Sequence, residues 1–329
     1  MVSDRFASRL EPWLASTTFG PGPLRIGVSG GADSLALLAL AAQTSSDVVA
    51  VHVDHGQRVD SHRDLAVVTD AARDVGAGVE SATVPVDPGP NLEVRMRAAR
   101  YDVLGPEAST GHTADDQAET VLVNLLRGSG VRGLGAMRPG ARRPILGLRR
   151  SDTVAICAAL GWDPVIDPTN ADPRHVRNRI RHELLPILED IAGRDVVPLI
   201  CRTADHARSA HDDIEVRAND LDPADARAVA SAPQPVAAAA LAQWIRTATS
   251  AEHPVDSAAI GRVLAVAAGV SRDAVVGPLE SHRDAALVAL DLLVGGEVLA
   301  VAPRIEGHPV RRQLDVRRRP AFDPTGSVT

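Results

Sequence analysis

Between Leu24 and about Leu160 the chain alternates short β-branched runs with longer segments of helical period. That alternation restricts it to βαβ units wound into a parallel, Rossmann-like sheet, an α/β domain. Strands are expected over 24–28, 48–53 and 79–84, and helices over 34–43, 61–75 and 92–104. A fourth strand must fit between Tyr101 and Gly111, where Pro106-Glu-Ala-Ser-Thr110 is hardly apolar, so it is expected to be short or irregular. Ligands of open parallel sheets bind beyond the carboxyl ends of the strands, which directs attention to the segments starting at Ser29, His52 and Gly111. From about Ile180 the pattern becomes Ala/Leu/Asp/Arg segments of helical period, broken by Pro198, Pro223, Pro233, Pro235 and Pro254. The expected organisation is an α/β domain over 1–185, a smaller, mostly helical domain over 186–320, and a disordered tail over 321–329. Within the second domain, Pro235 to Thr247 reads as a helix with Trp244 toward a core.

Composition removes several classes of chemistry. No lysine occurs, so all 35 basic residues are arginine. A Walker A loop, a protein kinase and a Schiff-base enzyme each need a lysine amine, and none can be built here. Cys157 and Cys201 are far apart, form no C-x-x-C pair and lie near no motif in sequence, which excludes a disulfide scaffold and a cysteine zinc site. The longest apolar run, Leu35 to Ala42, is too short to span a bilayer. Asp4 and Glu11 interrupt the start, where a secretory signal would be basic and then apolar, so a cytoplasmic protein without membrane partners is expected.

The strongest local signal is Ile26-Gly-Val-Ser-Gly-Gly-Ala-Asp-Ser34, a strand running through a glycine loop into an apolar helix. Adjacent Gly30 and Gly31 let backbone N–H groups turn toward an anion, and the helix N-terminus adds partial positive charge. The hydroxyls of Ser29 and Ser34 suit phosphate oxygens, and Asp33 suits Mg²⁺ held between carboxylate and phosphate. The loop lacks G-x-G-x-x-G spacing, which argues against a nicotinamide enzyme. His52 and Asp54 share a face at the end of the second strand and read as a hydrogen-bonded pair lining the nucleotide crevice, in preference to metal ligands. Thr113-x-x-Asp116 fits a capping box opening a helix, with Asp116 and Glu119 on one face. These two carboxylates suit a cationic amine or Mg²⁺ and can accept a proton. Arg97 and Arg100, three apart on the preceding helix, can reach one anion.

Seven arginines and no acidic residue lie between Arg127 and Arg150, a positive and flexible loop, and Arg174, Arg177, Arg179 and Arg181 form a second group. With a net charge of −7, any nucleic-acid contact must come from such local patches. Aromatic residues make up 2% of the chain, which argues against base-stacking platforms and for recognition through phosphates, shape and a pocket for one base.

The Ser-Gly-Gly-x-Asp-Ser loop resembles that of the PP-loop ATP pyrophosphatases. An ordered set of further motifs resembles the tRNA(Ile)-lysidine synthetase family over roughly the first 185 residues: His52-Val-Asp-His-Gly56, Arg97-Ala-Ala-Arg-Tyr101, Gly111-His-Thr-Ala-Asp-Asp-Gln-Ala-Glu-Thr120, Arg127-Gly128, Asp167-Pro-Thr-Asn170 and Arg177-Asn-Arg-Ile-Arg181. The resemblance implies a ligase that adenylates C2 of cytidine 34 in the CAU anticodon of tRNA(Ile) with ATP, then lets the ε-amine of free L-lysine displace AMP. It implies that Ser29, Gly30, Gly31, Ala32, Asp33 and Ser34, with His52, Asp54 and His112, hold ATP, and that Asp33 holds Mg²⁺. Asp33, Arg97, Arg100, Asp116 and Glu119 are the implied catalytic set; the division of labour between Asp116 and Glu119 stays open. Arg127, Arg132, Arg138, Arg142, Arg143, Arg177, Arg179 and Arg181 are the candidate tRNA contacts, and a second copy of the chain is a candidate partner. Longer family members carry a further C-terminal domain, for which no room is expected after residue 320, so the resemblance implies that the helical domain alone is expected to grip the tRNA. Rival readings are a PP-loop tRNA thiolase and a non-catalytic nucleotide-binding module.

Overall fold

The computed structural model describes residues 4–56, 62–87, 89, 92–167, 172–249, 257–268, 273–276, 290–294, 297–305 and 312–320. Pro168 to Asn170 of the fifth motif and the expected tail over 321–329 lie outside these residues. The chain forms two compact units, 1–208 and 209–329.

In the first unit, α1 (Asp4–Leu14) precedes β1 (Leu24–Gly27), α2 (Ala32–Thr44), β2 (Val48–Asp54), α3 (His62–Val75), β3 (Gly78–Thr83), α4 (Leu92–Leu104) and β4 (Ser109–Thr110). After the sheet come α5 (Ala114–Leu126), α6 (Val131–Leu134), α7 (Arg150–Leu160), α8 (Val176–Arg179), a π-helical turn over Ile180–Leu184, α9 (Leu185–Ala192) and α10 (Val197–Asn219), whose second half belongs to the other unit. The four strands are parallel in the order β3-β2-β1-β4. The order reverses between β1 and β4, so the crevice for a ligand opens beyond their carboxyl ends.

α2 is apolar all round because it is enclosed: Leu35 to Ala42 are all buried, in one cluster with Ile26 of β1, Val68 of α3, Ile156 of α7 and Leu10 of α1. Each of the leucines at 35, 37, 38 and 40 removes a whole side chain from water, about 1.5–3 kcal/mol apiece. That packing fixes the helix whose N-terminus closes the glycine loop.

β4 is as short as expected, pairing only Ser109 with Ile26 and Thr110 with Gly27. Side-chain and backbone bonds replace the missing ladder. Ser109 Oγ donates to Ala141 O at 2.6 Å, and Thr110 N donates to Arg142 O at 3.0 Å. The stretch from Arg127 to Arg150 was expected to be a flexible loop, and the structure corrects this. Ile145, Leu146 and Leu148 are buried, and Gln117 clamps Met137 through its amide, accepting from Met137 N at 2.9 Å and donating to Met137 O at 3.0 Å.

The division at 208/209 lies beyond the expected 185/186 because Leu185, Val196 and Val197 are buried in one cluster with Ala114, Ala118 and Leu122 of α5. The second unit holds the rest of α10 with α11 (Ala226–Ser231), α12 (Gln234–Thr249) and α13 (Ser257–Ala267). Its α12 buries Val236, Ala240, Leu241 and Ile245, with Trp244 only partly covered. Beside the helices, β5 (Asp273–Val276), β6 (Leu290–Val294), β7 (Glu297–Ile305) and β8 (Arg312–Pro320) form an antiparallel sheet in the order β5-β8-β7-β6. Among the described residues no helix is long and apolar enough to cross a membrane.

Candidate active site

At the switch point between β1 and β4 lies a cleft of about 500 Å³. Its floor is the glycine loop. Gly30 takes φ +85°, a left-handed turn that a side chain would strain, and Gly31 caps α2. Val165 N donates to Gly30 O at 2.9 Å, so the segment after α7 braces the loop from behind. Ser34 was expected to face phosphate, but its hydroxyl donates to Gly31 O at 2.9 Å and accepts from Ser29 N at 3.1 Å. One hydroxyl carries one proton, so Ser34 shapes the loop and its oxygen accepts from the Ser29 hydroxyl at 3.3 Å, while the α2 N-terminus remains for an anion.

Asp33 stands at the first turn of α2 on the cleft wall. Thr153, fully buried on α7, donates to its Oδ1 at 2.5 Å, and Arg150 Nε lies 3.7 Å from its Oδ2. Burial raises the carboxyl above the usual range against the pull of the Thr153 hydrogen bond, and the nearby Asp116 charge adds to the rise. Gly111 is what lets β4 come this close. A Cβ there would lie 2.8 Å from Asp33 O and 3.0 Å from Ser34 N.

The capping box is present: Asp116 Oδ2 accepts from Thr113 N at 2.8 Å and Thr113 Oγ1 at 3.0 Å. Its Oδ1 faces Arg150 Nη2 at 3.0 Å. Glu119 departs from the expectation of a cleft-facing catalytic carboxylate. It is 1% exposed, is not among the described residues lining the cleft, and gives both oxygens to Arg181, at 2.7 and 3.1 Å. Its place one turn beyond Asp116 on α5 faces it into the protein, so it holds arginines in position. Arg181, a candidate tRNA contact, in turn lines the cleft, its guanidinium bound to Glu119.

Arg97, Arg100, Tyr101 and His112 also line the cleft. Arg97 stacks over the Tyr101 ring, 5.1 Å from its centroid, and donates to its hydroxyl at 3.3 Å. Burial and the neighbouring Arg97 charge lower the Arg100 guanidinium from its usual value, a field that an anionic ligand would relieve. His112 pairs with Thr110 Oγ1 at 2.8 Å, and burial pushes its pKa down to about 4, so it is neutral at pH 7.

His52 and Asp54 do not line the cleft. His52 Nδ1 donates to Val28 O at 2.9 Å and ties β2 to β1, whereas Asp54 accepts from Gly56 N at 2.8 Å in the following turn. Of the remaining arginines, Arg127, Arg132, Arg138 and Arg142 are exposed and Arg143 is half-buried. Arg177 donates to Thr120 Oγ1, and Arg179 is paired with Glu183 one turn on.

Arg150 and Thr153 are the residues sequence reasoning missed. Arg150 opens α7; its backbone N–H donates to Asp115 at 2.7 Å while its side chain reaches Asp33, Asp116 and Glu119. Burial alone would lower its pKa, but the surrounding carboxylates, Asp116 first, raise it and keep it charged. Arg149 is bound to Asp115 and Asp195. Burial raises the Asp115 carboxyl, but the bonds from Arg149 and from Arg150 N outweigh it and hold Asp115 below its usual range. For Arg150 the available signal was its position just after the apolar Ile145 to Leu148 run, which places it at a buried element's end.

Residues 3–188 match a family model described as PP-loop domain. Among proteins named tRNA(Ile)-lysidine synthase, that of Nocardia farcinica is 40% identical over 263 residues, 74% of this chain and 82% of the relative. The chain belongs to the tRNA(Ile)-lysidine synthase family. The Mycobacterium leprae member is 41% identical, covering 67% of this chain and 74% of the relative, and the Rhodococcus opacus member 44% identical, covering 60% and 63%. The glycine loop thus lies within a PP-loop domain, and this family member uses ATP.

Tertiary structure also corrects the reading that the cysteines lie away from the motifs. Cys157 Sγ donates to Ala32 O in the PP-loop at 3.6 Å, and Cys201 Sγ to Ala114 O at 3.3 Å. Both thiols are packing groups: burial pushes them up to about 12 and about 11, so neither is a thiolate near neutral pH. The double change Cys157→Ser, Cys201→Ser is expected to leave lysine transfer to tRNA within about twofold, since serine keeps the donor. A labelled-lysine assay checks it, and abolition of transfer in a folded variant would revive thiol chemistry.

Proposed function

We propose that this chain is a carbon–nitrogen ligase that joins free L-lysine to C2 of cytidine 34 in the CAU anticodon of tRNA(Ile), with ATP as the activating reagent. The observation that carries the reading is one cleft holding an anion-binding PP-loop on one side and the Asp116 carboxylate, backed by buried Glu119, on another, in a chain of this family.

In the first step cytosine O2 attacks the α-phosphorus of ATP and pyrophosphate departs. The loop N–H groups and the α2 N-terminus take up charge on the leaving pyrophosphate. Arg97 and Arg100 also line the cleft, where they can balance the α-phosphate. Asp33 fits Mg²⁺, since that ion is commonly held by one or two carboxylates together with substrate phosphates and waters. Among the described residues no group of three or more protein ligands forms a cage, so Asp33 would hold the ion jointly with ATP. When bound, Mg²⁺ would supply Lewis-acid stabilisation of phosphate charge.

In the second step the neutral ε-amine attacks C2, and the C2–O2 bond breaks with AMP as the leaving group. Adenylation is what makes the oxygen departable. Asp116 is positioned to bind the incoming ammonium and accept its proton. Asp116→Asn is expected to retain tRNA-dependent pyrophosphate release while losing about 100-fold in lysine transfer. Full lysine transfer by the folded variant would remove Asp116 from that role.

Exposed Arg127, Arg132, Arg138 and Arg142, with Arg177 and Arg179, are the proposed phosphate contacts for the tRNA, and the second unit, helices and sheet together, is the proposed grip on its body. An enzyme acting on tRNA in this way works in the cytoplasm. The deciding experiment measures labelled lysine incorporated into CAU-anticodon tRNA(Ile) with ATP and Mg²⁺, comparing C34 with a U34 variant. Incorporation with C34 alone supports base, amine and cofactor together. ATP cleavage on tRNA without lysine transfer would overturn the acceptor and point to another PP-loop modification.

A further inference from the structure

Asp116 already holds a cation of the protein's own. Its Oδ2 is taken by Thr113, and its Oδ1 accepts from Arg150 Nη2 at 3.0 Å, with Arg181 farther off at 3.7 Å. The same Arg150 nitrogen lies 3.4 Å from Glu119, so one guanidinium corner stands where a substrate ammonium would be shared. The backbone of Arg150 is held by Asp115 at the first turn of α7, its guanidinium rests on Asp116 and Glu119, and its Nε is 3.7 Å from Asp33 on the nucleotide side. A rotation of the side chain alone would therefore carry its charge from Asp116 toward the PP-loop.

We propose that Arg150 is an internal stand-in for the ε-ammonium of lysine, displaced from Asp116 by the substrate and received by the phosphate charge of ATP, so that the two substrates favour each other's binding. The inference rests on the lysine-transfer reading above. Without ATP, vacating Asp116 costs Arg150 an ion pair and brings it no new one beyond Asp33. With ATP bound, the triphosphate supplies a stronger anion on that side, and the cost of admitting lysine falls. By linkage, lysine must strengthen ATP binding by the same factor. Arg150 is thus a positioning residue that couples the two sites.

The test is equilibrium dialysis of labelled lysine against the full chain with C34 tRNA(Ile), with and without α,β-methylene-ATP and Mg²⁺; the analogue cannot release pyrophosphate, so no transfer intervenes. The wild type is expected to bind lysine about tenfold more tightly with the analogue. Arg150→Gln is expected to bind lysine equally with and without it, and more tightly than wild type in its absence, whereas Arg150→Lys keeps a displaceable cation and restores the coupling. In the wild type itself, the ¹⁵N-labelled Arg150 Nε–H resonance is expected to shift when lysine is added to the analogue complex, a readout that needs no neutral variant to fold. Lysine binding that ignores the analogue, an Arg150→Gln protein that retains the full coupling, or an unmoved Arg150 resonance would each overturn the proposal while leaving lysine transfer standing. A wild type that binds no lysine under either condition would overturn the functional reading itself, and the proposal with it.

Discussion

Asp33→Asn is expected to lower tRNA-dependent pyrophosphate release by about 100-fold or more, while the protein unfolds at an unchanged or slightly higher temperature. The two halves of this result come from the same geometry. Asparagine preserves the shape and still accepts the Thr153 hydrogen bond through Oδ1, so the PP-loop keeps its brace. What is lost is the charge proposed to face the triphosphate and its cation. Burial already disfavours that charge in the folded state, so removing it does not weaken the fold. Release assayed with saturating ATP, alongside thermal unfolding, checks both halves. A folded variant that keeps more than about a tenth of wild-type release would exclude Asp33 from the phosphate chemistry.

Gly111→Ala is expected to cost about 2 kcal/mol of stability and most of the activity, although the glycine makes no side-chain contact with any ligand. The added Cβ would meet the Asp33 carbonyl oxygen at 2.8 Å and its carbon at 2.9 Å. Both are backbone atoms at the first turn of a helix enclosed in the core, so neither can move aside cheaply. Relief must come from β4, which is held by only two ladder pairs and a few bonds to Ala141 and Arg142. Displacing β4 moves His112 and the start of α5, and with them Asp116. Urea unfolding and pyrophosphate release measured together test this. Wild-type values for both would show that the approach of β4 to the loop is not tight enough to matter.

Much of this site is legible in the residues because it depends on local rules. Strand, glycine turn and helix follow one another within Ile26 to Ser34, and the capping box needs only Thr113 and Asp116 at their spacing. The weakness of the fourth strand is legible as well, since Pro106 to Thr110 offers nothing for a sheet to bury. Glu119 was not legible in its true part. Its helical spacing from Asp116 puts both on neighbouring positions of α5, but which of the two faces solvent depends on Arg181, 62 residues away. Arg150 illustrates the same limit. In sequence it ends a run of seven arginines without an acidic residue, which reads as a mobile basic surface. In the fold it meets Asp33, Asp115, Asp116 and Glu119, none of them within 30 positions of it.

The α/β class, the glycine loop, the lack of any lysine side chain for catalysis and the order of the motifs can be read from the residues alone, because propensity, turn chemistry and composition act over a few residues. Which charges face the cleft and which are held behind it follows from the packing of distant elements. Ion pairing acts through space: α5, α7 and the π-helical turn bring carboxylates and arginines distant in the chain within 4 Å, and burial there leaves each charge to be balanced by its neighbours.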